Sequence, residues 1–369
     1  MSDGDLKHVL FTGGGSAGHV VPCMPLIERL RDNSVDVSFV GSRTGLEERL
    51  VAPLGVRYRG ISAGKLRRYW SIENVRDVGR IFAGIVASWR ILGELKPDVV
   101  FSKGGFVSFP VVFAAWLRRI PVVAHESDMT PGLANRLALP FADVVCTTFA
   151  ATHFGRSRVP REHTGTPLRK TLLSASAERG RRAVGVPLGM PVLLVVGGSL
   201  GAERLNRIVH ATLPRLTNNY FVAHVCGPGR TNAELEGTNN YRQFEFVSDG
   251  WGDLLAAADV VVSRAGANSL YELVVLRKPN VLVPLTLQAS RGDQLENARY
   301  AEAQGWSKVI EEEVLSPERL RGALEELRAN VTTQRSALAR AALGDGTDAV
   351  LRVIDQVARR RRAAVAGAK

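Results

Sequence analysis

Cysteine is scarce in this chain, which contains three cysteines in 369 residues. Cys23, Cys146 and Cys226 are far apart and form no Cys-x-x-Cys pair, which argues against a disulfide framework and a zinc site and for a reducing cytosol. No apolar run approaches the ~20 residues that span a bilayer. The first residues are acidic and lead directly into an apolar strand, so we expect no signal peptide. These absences predict a cytoplasmic protein.

Acidic residues are too few to balance the basic ones. The chain has 36 aspartates and glutamates but 48 lysines and arginines, which gives a formal net charge of +12. The basic residues are concentrated in the first half and at the C-terminus: Lys65, Arg67, Arg68, Arg76, Arg80, Arg90, Arg118 and Arg119, then Arg359, Arg360, Arg361 and Arg362. Such clusters bind nucleic acid or an anionic membrane surface, and an arginine-rich composition on solvated faces is the alternative. The length allows two domains, each with its own core.

The first predicted strand is followed by a glycine-rich turn. Residues 9–12 are typical of a buried parallel strand, residues 13–19 (Gly-Gly-Gly-Ser-Ala-Gly-His) follow it, and a helix is expected over 20–31. A glycine turn between a strand and a helix binds anions through backbone N–H groups. The acidic residue that ends the second strand of a dinucleotide site is missing, since residues 35–40 lead into glycine, serine and arginine. We therefore exclude NAD and FAD.

Polar residues follow two further strands of the first half. Gly104 and Gly105 come after a strand over 98–101, and His125, Glu126 and Asp128 end a strand that starts at residue 121. Ligands of open α/β sheets bind at the carboxyl ends of the strands, so we expect these residues and His19 to converge. A structural role stays open for His19, and Glu126 and Asp128 could instead cap a helix that begins near residue 131.

The second half contains a strand, a turn of small residues and a helix. Residues 259–263 form the strand, and Asn268 or Ser269 is the expected N-cap of the helix. A helix N-terminus in this position suits a pyrophosphate, and Glu272, one turn into the helix, is placed to bind ribose hydroxyls. A capped helix with a surface glutamate is the alternative interpretation.

The rest of the second half repeats the strand and glycine pattern. A strand over 192–196 precedes a glycine turn at 197–202 and a helix that contains Asn206. Further strands are expected at 221–225, 244–247 and 281–284, and the last leads to a polar helix start with Asp293, Gln294 and Asn297 on one face. This polar set suits sugar hydroxyls.

An apolar stripe with helical spacing lies between residues 78 and 92. Its members are Val78, Ile81, Phe82, Ile85, Trp89 and Leu92. Such a stripe predicts core packing for most of these side chains. The neighbouring arginines and tryptophans leave open a membrane-facing edge.

Together these patterns predict an α/β protein with two Rossmann-like parallel-sheet domains facing a central cleft, the GT-B glycosyltransferase architecture. The expected divisions are 1–166 for an acceptor and membrane-side domain, 167–344 for a donor-nucleotide domain, and 345–369 for a C-terminal helix and basic tail that returns to the first domain. The acceptor would bind to the first domain and the donor nucleotide to the second.

The chain resembles the MurG-type family, which transfers N-acetylglucosamine from UDP-GlcNAc to undecaprenyl-pyrophosphoryl-MurNAc-pentapeptide in peptidoglycan synthesis. Seven blocks carry the resemblance: Gly13 to His19, Gly104 to Ser108, His125 to Asp128 with Pro131 to Asn135, Gly165 to Arg169, Gly197 to Ala202, Arg264 to Ala267 with Glu272, and Asp293, Gln294, Asn297 and Ala298. Their order along the chain makes the match specific.

The resemblance implies an inverting, metal-independent transferase without a cofactor. It places the protein peripherally on the inner face of the cell membrane. The implied partners are a UDP-sugar, a lipid-linked acceptor and an anionic membrane surface, but no nucleic acid. The implied donor residues are Arg169, Ser199, Phe246, Val247, Asn268, Ser269, Glu272, Asp293, Gln294 and Asn297. The implied acceptor residues are Gly14, Gly15, Ser16, Gly18, Gly104, Gly105, Asn135 and Asn206. His19 is the expected base, with Glu126 and Asp128 as rivals.

Several positions depart from the family's commonest pattern. These are Phe106, Asp128, Thr166 and Asn268, together with the stretch from Gly292 to Gln294. They leave open a paralogue that glycosylates another lipid phosphate or a natural product. A UDP-GlcNAc 2-epimerase, which shares the two-domain plan, and a catalytically silent sugar-nucleotide-binding protein are further alternatives.

Overall fold

The computed structural model describes residues 6–64, 72–198, 201–287 and 290–366. The chain forms two compact units. Unit 1 contains the residues up to Leu168 together with those from Asp345 onward, and unit 2 runs from Arg169 to Gly344. Each unit is a parallel sheet covered by helices, which is the Rossmann-like arrangement that the strand and glycine pattern predicts.

Unit 1 is built on a seven-stranded sheet in the order β3-β2-β1-β4-β5-β6-β7, in which every described pair is parallel. The strands are β1 (His8–Gly13), β2 (Asp36–Ser42), β3 (Arg57–Ile61), β4 (Val99–Gly104), β5 (Val122–Glu126), β6 (Val144–Thr147) and β7 (Arg161–His163). The helices are α1 (Met24–Asp32), α2 (Glu47–Val51), α3 (Ile72–Leu95), α4 (Ser108–Leu117), α5 (Leu133–Ala138) and, from the C-terminus, α14 (Thr347–Ala366).

The C-terminal helix α14 belongs to the core of unit 1. Its apolar residues Val350 and Ile354 are buried in the same cluster as Leu26 and Ile27 of α1 and Phe11 of β1. Burying these aliphatic side chains stabilises the unit by roughly 1.5–3 kcal/mol each. The two ends of the sequence therefore form one hydrophobic core.

Unit 2 is built on a six-stranded sheet in the order β10-β9-β8-β11-β12-β13, and its described pairs are also parallel. The strands are β8 (Val192–Val196), β9 (Phe221–Val225), β10 (Tyr241–Phe244), β11 (Val260–Ser263), β12 (Asn280–Leu282) and β13 (Lys308–Val309). The helices are α6 (Lys170–Leu173), α7 (Ala177–Val184), α8 (Glu203–Leu216), α9 (Trp251–Ala257), α10 (Ala267–Val275), α11 (Asp293–Ala303), α12 (Pro317–Ala329) and α13 (Val331–Arg340).

Each sheet reverses its strand order at one point, between β1 and β4 in unit 1 and between β8 and β11 in unit 2. Connections leave these two neighbouring strands toward opposite faces of the sheet, which opens a crevice at their carboxyl ends. The glycine-rich turns after β1 and β8 lie at these reversal points. The topology therefore selects one candidate binding site in each unit.

The predicted core role of the apolar stripe on α3 is wrong for three of its members. Val78, Phe82 and Trp89 are 46%, 66% and 40% exposed, and Val86 is 50% exposed between them. The helix packs instead through Gly84, Ser88, Leu92 and Leu95, which repeat at helical spacing on another face. A Cβ at Gly84 would lie 2.5 Å from the carbonyl oxygen of Ser62, so the buried face needs a small residue there. No helix in the described part of the chain is long and apolar enough to cross a bilayer.

Candidate active site

The reversal point of unit 1 brings the turn after β1 against the turn after β4. The N–H of Gly14 donates to the carbonyl of Gly104 over 3.2 Å. Gly105 has φ +86°, and a Cβ there would lie 1.9 Å from the Gly14 carbonyl oxygen and 3.1 Å from Cδ2 of His19. Only glycine fits this close approach in a left-handed conformation. The imidazole of His19 therefore lies beside the meeting point of the two turns.

The tautomer of His19 is set by the end of β4. His19 ends a short 3₁₀ helix (Ala17–His19), and its Nδ1 lies 3.2 Å from the carbonyl oxygen of Lys103. A carbonyl can only accept, so Nδ1 carries the hydrogen and Nε2 carries the lone pair of a neutral ring. This is the arrangement of a histidine that receives a proton at Nε2.

Glu126 organises the loop that follows β5. Its Oε1 accepts from the N–H of Asp128 over 3.0 Å, and its Oε2 accepts from the N–H of Gly132 over 3.2 Å and from Asn135 Nδ2 over 2.8 Å. Burial raises the pKa of Glu126 to about 7, and the nearby Asp128 adds to the rise. A carboxylate engaged on both oxygens holds the loop in place, so we assign Glu126 to positioning. Asp128 is half-buried and stays a rival of His19.

The alternative role of Glu126 or Asp128 as a helix cap does not apply. Helix α5 starts at Leu133, its N-cap is Gly132, and no side chain caps it. Asn135, predicted on the acceptor side, is buried and bonds Glu126 and the carbonyl of His125. It therefore supports the same loop from the first turn of α5.

Lys103, at the end of β4, is an interior residue of this site to which the sequence interpretation assigned no role. It is 1% exposed, and its ammonium donates to Nδ1 of His125 over 3.0 Å and to the hydroxyl of Ser127. Burial lowers the pKa of Lys103, and the negative charge of Glu126 opposes this change. His125 in turn donates from Nε2 to the carbonyl of Gly165 over 3.0 Å. The predicted strand ended at residue 101, whereas β4 continues to Gly104, so the sequence pattern did not mark Lys103 as buried.

Glu47 of α2 alters the predicted anion site at the first glycine turn. The side chain is fully buried, and its Oε1 accepts the N–H of Gly15 over 2.7 Å. A carboxylate thus occupies one backbone donor of the turn, and Gly104 occupies that of Gly14. The expected helix from residue 20 begins only at Met24. The simple strand, turn and helix anion site is therefore wrong here, although Ser16 and Gly18 remain exposed on the turn.

The reversal point of unit 2 places the N-terminus of α10 beside the turn after β8. The N-cap is Gly266, with φ −64° and ψ 135°, so the predicted cap at Asn268 or Ser269 is wrong. Both residues lie inside the first turn of α10, where backbone N–H groups point out of the helix. Because glycine supplies no capping side chain, an anion is a suitable partner for this helix end. Ser199 lies outside the described residues.

Glu272 faces two residues of its own unit. Burial raises its pKa, while the guanidinium of Arg169 and a hydrogen bond from Trp251 lower it. Nε of Arg169 is buried and, within the described residues, has no hydrogen-bond partner. The pair thus offers an acceptor and a donor one turn from the helix N-terminus.

The residues that we predicted to bind the sugar hydroxyls lie in the first turns of helix α11. Asp293 is its first residue, and its Oδ1 is buried and makes no hydrogen bond to the described residues. Gln294 accepts the N–H of Leu285 over 3.2 Å, and buried Asn297 donates to the carbonyl of Ala265 over 3.1 Å. Asn297 therefore supports the turn before α10. Oδ1 of Asp293 can accept a hydrogen bond from a ligand hydroxyl.

The predicted strand over 244–247 is displaced. β10 ends at Phe244, and Phe246 and Val247 lie in the loop beyond it. Phe246 is 62% exposed. An exposed aromatic ring at a strand end can stack on a planar ligand such as a nucleobase.

Asn206, which we predicted on the acceptor side, lies inside unit 2. Its Nδ2 donates to the carbonyl of Cys226 over 2.8 Å, and its Oδ1 is 3.1 Å from Nε2 of His224. Both ends of the amide are engaged and the residue is buried, so we remove it from the acceptor set. Among the described residues, His210, His224 and Cys226 have potential metal-ligand atoms within 4.8 Å of one another, but the hydroxyl of Tyr241 bridges both histidines.

Family models match both units. The glycosyltransferase family 28 N-terminal domain covers residues 9–147, and the family 28 C-terminal domain covers residues 192–351. An enzyme of Legionella pneumophila (strain Lens) named UDP-N-acetylglucosamine--N-acetylmuramyl-(pentapeptide) pyrophosphoryl-undecaprenol N-acetylglucosamine transferase is 45% identical over 351 residues, 95% of this chain and 97% of that protein. A Clostridium perfringens (strain 13 / Type A) protein of the same name is 42% identical over 350 residues, 95% and 98% of the two chains.

Solved structures agree with this match. The crystal structure of Acinetobacter baumannii MurG superposes with a TM-score of 0.75 at 25% identity over 95% of this chain and 99% of its own. A UDP-GlcNAc 2-epimerase of Neisseria meningitidis reaches a TM-score of 0.68 at 14% identity over 95% of this chain and 100% of its own, which shows a shared fold alone. With two family models in order and relatives above 40% identity along nearly the whole chain, the protein belongs to glycosyltransferase family 28 and, within it, to the MurG-type enzymes.

Proposed function

We propose that this enzyme transfers N-acetylglucosamine from UDP-GlcNAc to a pyrophosphoryl-undecaprenol-linked N-acetylmuramyl-pentapeptide. The observation that carries the proposal is the 42–45% identity, over 95% of the chain, to enzymes named for this transfer. The two reversal points supply residues of the required kinds. Unit 2 offers a helix N-terminus and a carboxylate, and unit 1 offers an oriented histidine.

In unit 2, the donor would bind at the start of α10. Its diphosphate is a suitable partner for the N-terminus of α10, whose N-cap glycine supplies no capping side chain, and Arg169 adds a positive charge nearby. Glu272 would accept from the ribose hydroxyls. Phe246 and Val247 would contact the base, and Asp293 and Gln294 would contact the sugar. Ser199, which the family resemblance implies, would also bind the UDP.

In unit 1, His19 would act as the base. The acceptor hydroxyl oxygen forms a bond to the anomeric carbon of the sugar, and the bond from that carbon to the diphosphate oxygen breaks. Nε2 of His19 takes the hydroxyl proton, and UDP leaves with the electron pair of the broken bond. Direct displacement inverts the anomeric centre. The helix dipole of α10 would stabilise the charge that develops on the leaving diphosphate, so we propose that no metal is required.

The test is transfer of labelled N-acetylglucosamine from UDP-GlcNAc to a short-chain lipid-linked MurNAc-pentapeptide, with and without EDTA. We expect labelled lipid and one UDP per transfer in both conditions. Interconversion of UDP-GlcNAc and UDP-ManNAc without an acceptor would instead indicate an epimerase. Tight donor binding without transfer to this acceptor would contradict the proposed acceptor and favour the paralogue.

We further propose that unit 1 attaches to the inner face of the cell membrane through an outer apolar face. This face consists of Val78, Phe82, Val86 and Trp89 of α3 with Trp116 and Leu117 of α4, each at least 40% exposed. Arg118 joins the two helices, since its guanidinium lies 4.1 Å from the centre of the Trp89 ring and donates to the Trp89 carbonyl over 2.6 Å.

Positive charge surrounds the outer apolar face. Arg80 and Arg90 are exposed on α3, and Arg361 of α14 donates to the carbonyl of Arg119 over 3.1 Å, which brings the C-terminal arginines to the end of α4. Tryptophan and arginine beside an exposed apolar face are typical of proteins that lie on anionic lipid surfaces. The predicted basic positions Lys65, Arg67 and Arg68, and the side chain of Arg76, lie outside the described residues.

Replacing Phe82 with glutamate should weaken attachment to vesicles that contain anionic lipid. The change removes an apolar ring and adds a negative charge, so we expect the affinity for the vesicles at low salt to fall by about tenfold or more. Sedimentation with the vesicles measures this, and high salt should release much of the wild-type protein. Leu188→Glu, on a fully exposed leucine of unit 2, is the matched control. Equal binding of both variants would contradict the proposed attachment.

A further inference from the structure

A pocket of about 430 Å³ lies within unit 1, on the side of the sheet covered by α5. Its lining comes from the start and end of α5 and from the connection between β6 and β7: Pro131, Arg136, Leu139, Pro140, Ala142, Phe154, Ser157, Arg158 and Val159. This volume is within the range of small-ligand pockets. None of these residues has a role in the transfer chemistry described above.

The pocket combines an apolar floor with two arginines that lack protein partners. Leu139 and Phe154 are buried, at 5% and 7% exposure, and belong to one hydrophobic cluster. Arg136 and Arg158 are exposed, and within the residues that the structure describes neither side chain makes an ion pair or a hydrogen bond. Arg161, close by, differs because it donates to the carbonyl of Ser157 and lies over the Phe154 ring. The charges of Arg136 and Arg158 therefore remain available to an anionic group.

The pocket adjoins the loop that Glu126 organises. Pro131 lines the pocket and precedes Gly132, whose N–H binds the Glu126 carboxylate. The connection that forms the other wall is tied to the same loop, since the N–H of His153 donates to the carbonyl of Met129 over 2.9 Å. A peptide of five residues extends by up to about 17 Å, which is long enough to run from this loop along α5.

We propose that this pocket binds the peptide of the acceptor, with Arg136 and Arg158 holding a peptide carboxylate and the apolar floor contacting its side chains. The inference rests on the proposed function, because the acceptor named for the relatives carries a pentapeptide and every such peptide ends in a carboxylate. Guanidinium groups bind carboxylates through paired N–H donors. The pocket would thus bind the peptide of the acceptor, while His19 takes the proton from the hydroxyl of its sugar.

The experiment compares two lipid-linked acceptors, one with the full pentapeptide and one with the peptide removed, in the wild type and in Arg136→Gln/Arg158→Gln. For the pentapeptide acceptor we expect the double variant to raise KM about tenfold, the order of one charged hydrogen bond, with kcat nearly unchanged. The KM for the peptide-free acceptor and for UDP-GlcNAc should stay within twofold, or about 0.4 kcal/mol, of the wild type. A pentapeptide acceptor amidated at its carboxylates should lose the same factor in the wild type.

Arg156→Gln is the matched control, because Arg156 is an exposed arginine of the same connection that does not line the pocket. A tenfold effect that is equal for both acceptors would overturn the inference and indicate a site for the diphosphate that both share. An unchanged KM for the pentapeptide acceptor would overturn it as well. Absence of wild-type transfer to either acceptor would refute the proposed function itself. In that case, binding of labelled pentapeptide to the wild type and to the double variant tests the pocket separately, and equal binding to both would overturn the inference.

Discussion

Replacing His19 with alanine should lower kcat by about a hundredfold to ten-thousandfold, the range expected when a general base is removed. The imidazole is held by the Lys103 carbonyl at Nδ1 and packs against Gly105, so its Nε2 lone pair has one fixed orientation. Without it the attacking hydroxyl must lose its proton to solvent in the transition state. The KM for UDP-GlcNAc should change little, because the residues that we propose for the donor belong to unit 2. Steady-state kinetics with both substrates varied measures this separation.

His153→Ala provides the control for this prediction. His153 is exposed, lies in unit 1, and contributes its backbone N–H, not its imidazole, to the described hydrogen bond with Met129. A normal rate in His153→Ala and a strongly reduced rate in His19→Ala would agree with the assignment. A near-normal kcat in His19→Ala would contradict it, and Asp128→Asn would then be the next variant to measure.

The strands and turns that carry the two candidate sites could be predicted from the sequence because their signals are local. An apolar β-branched run followed by a glycine turn forms a parallel strand and a close backbone approach in most contexts, and this pattern correctly located β1, β4, β8 and β11. The reversal of strand order beside these turns follows from the same alternation of strands and helices. The family resemblance rested on these turns and is confirmed by the comparisons.

The supporting residues could not be predicted in the same way, because their partners are distant in sequence. Glu47 binds a glycine turn 32 residues away, and Lys103 binds His125, 22 residues away on the neighbouring strand. Neither residue shows periodicity or spacing that indicates these contacts. On α3 the hydrophobic pattern was misleading for a physical reason. The buried face there includes Gly84 and Ser88, whose small size permits close packing, while Val78, Phe82 and Trp89 of the stripe face outward.

Helix caps show a third kind of limit. Asn268 and Ser269 are good capping residues, yet α10 begins earlier, at Ala267, with Gly266 as the N-cap. The N-cap therefore lies two or three residues before the predicted one, a shift that is small for the fold and large for the candidate site. It moves both side chains into the first turn and leaves the helix end without a capping group. The anion site that we propose at this helix end thus depends on a boundary that local propensity does not determine.

Replacing Glu272 with alanine should lower kcat/KM for UDP-GlcNAc by about tenfold to a hundredfold, mainly through KM, because a charged acceptor for the ribose hydroxyls is lost. The sharpest measurement compares UDP-GlcNAc with its 2′-deoxy and 3′-deoxy ribose analogues in both proteins. The wild type should discriminate against at least one analogue, and Glu272→Ala should treat all three donors nearly alike. The ratio of kcat/KM for UDP-GlcNAc to kcat/KM for the analogue is measured in each protein. The difference between the two ratios, expressed as a free energy, is the coupling between the carboxylate and that hydroxyl.

Two further variants separate ribose binding from a structural role of Glu272. Glu272→Gln keeps an amide oxygen beside Arg169 and Trp251, so it should fall between the wild type and Glu272→Ala in donor KM. Glu234→Ala, on an exposed glutamate of the same unit, should change neither KM nor Tm. If Glu272→Ala lowered the affinity for all three donors by the same factor while the discrimination persisted, the carboxylate would be holding Arg169 for the diphosphate. The ribose would then be bound by a different group.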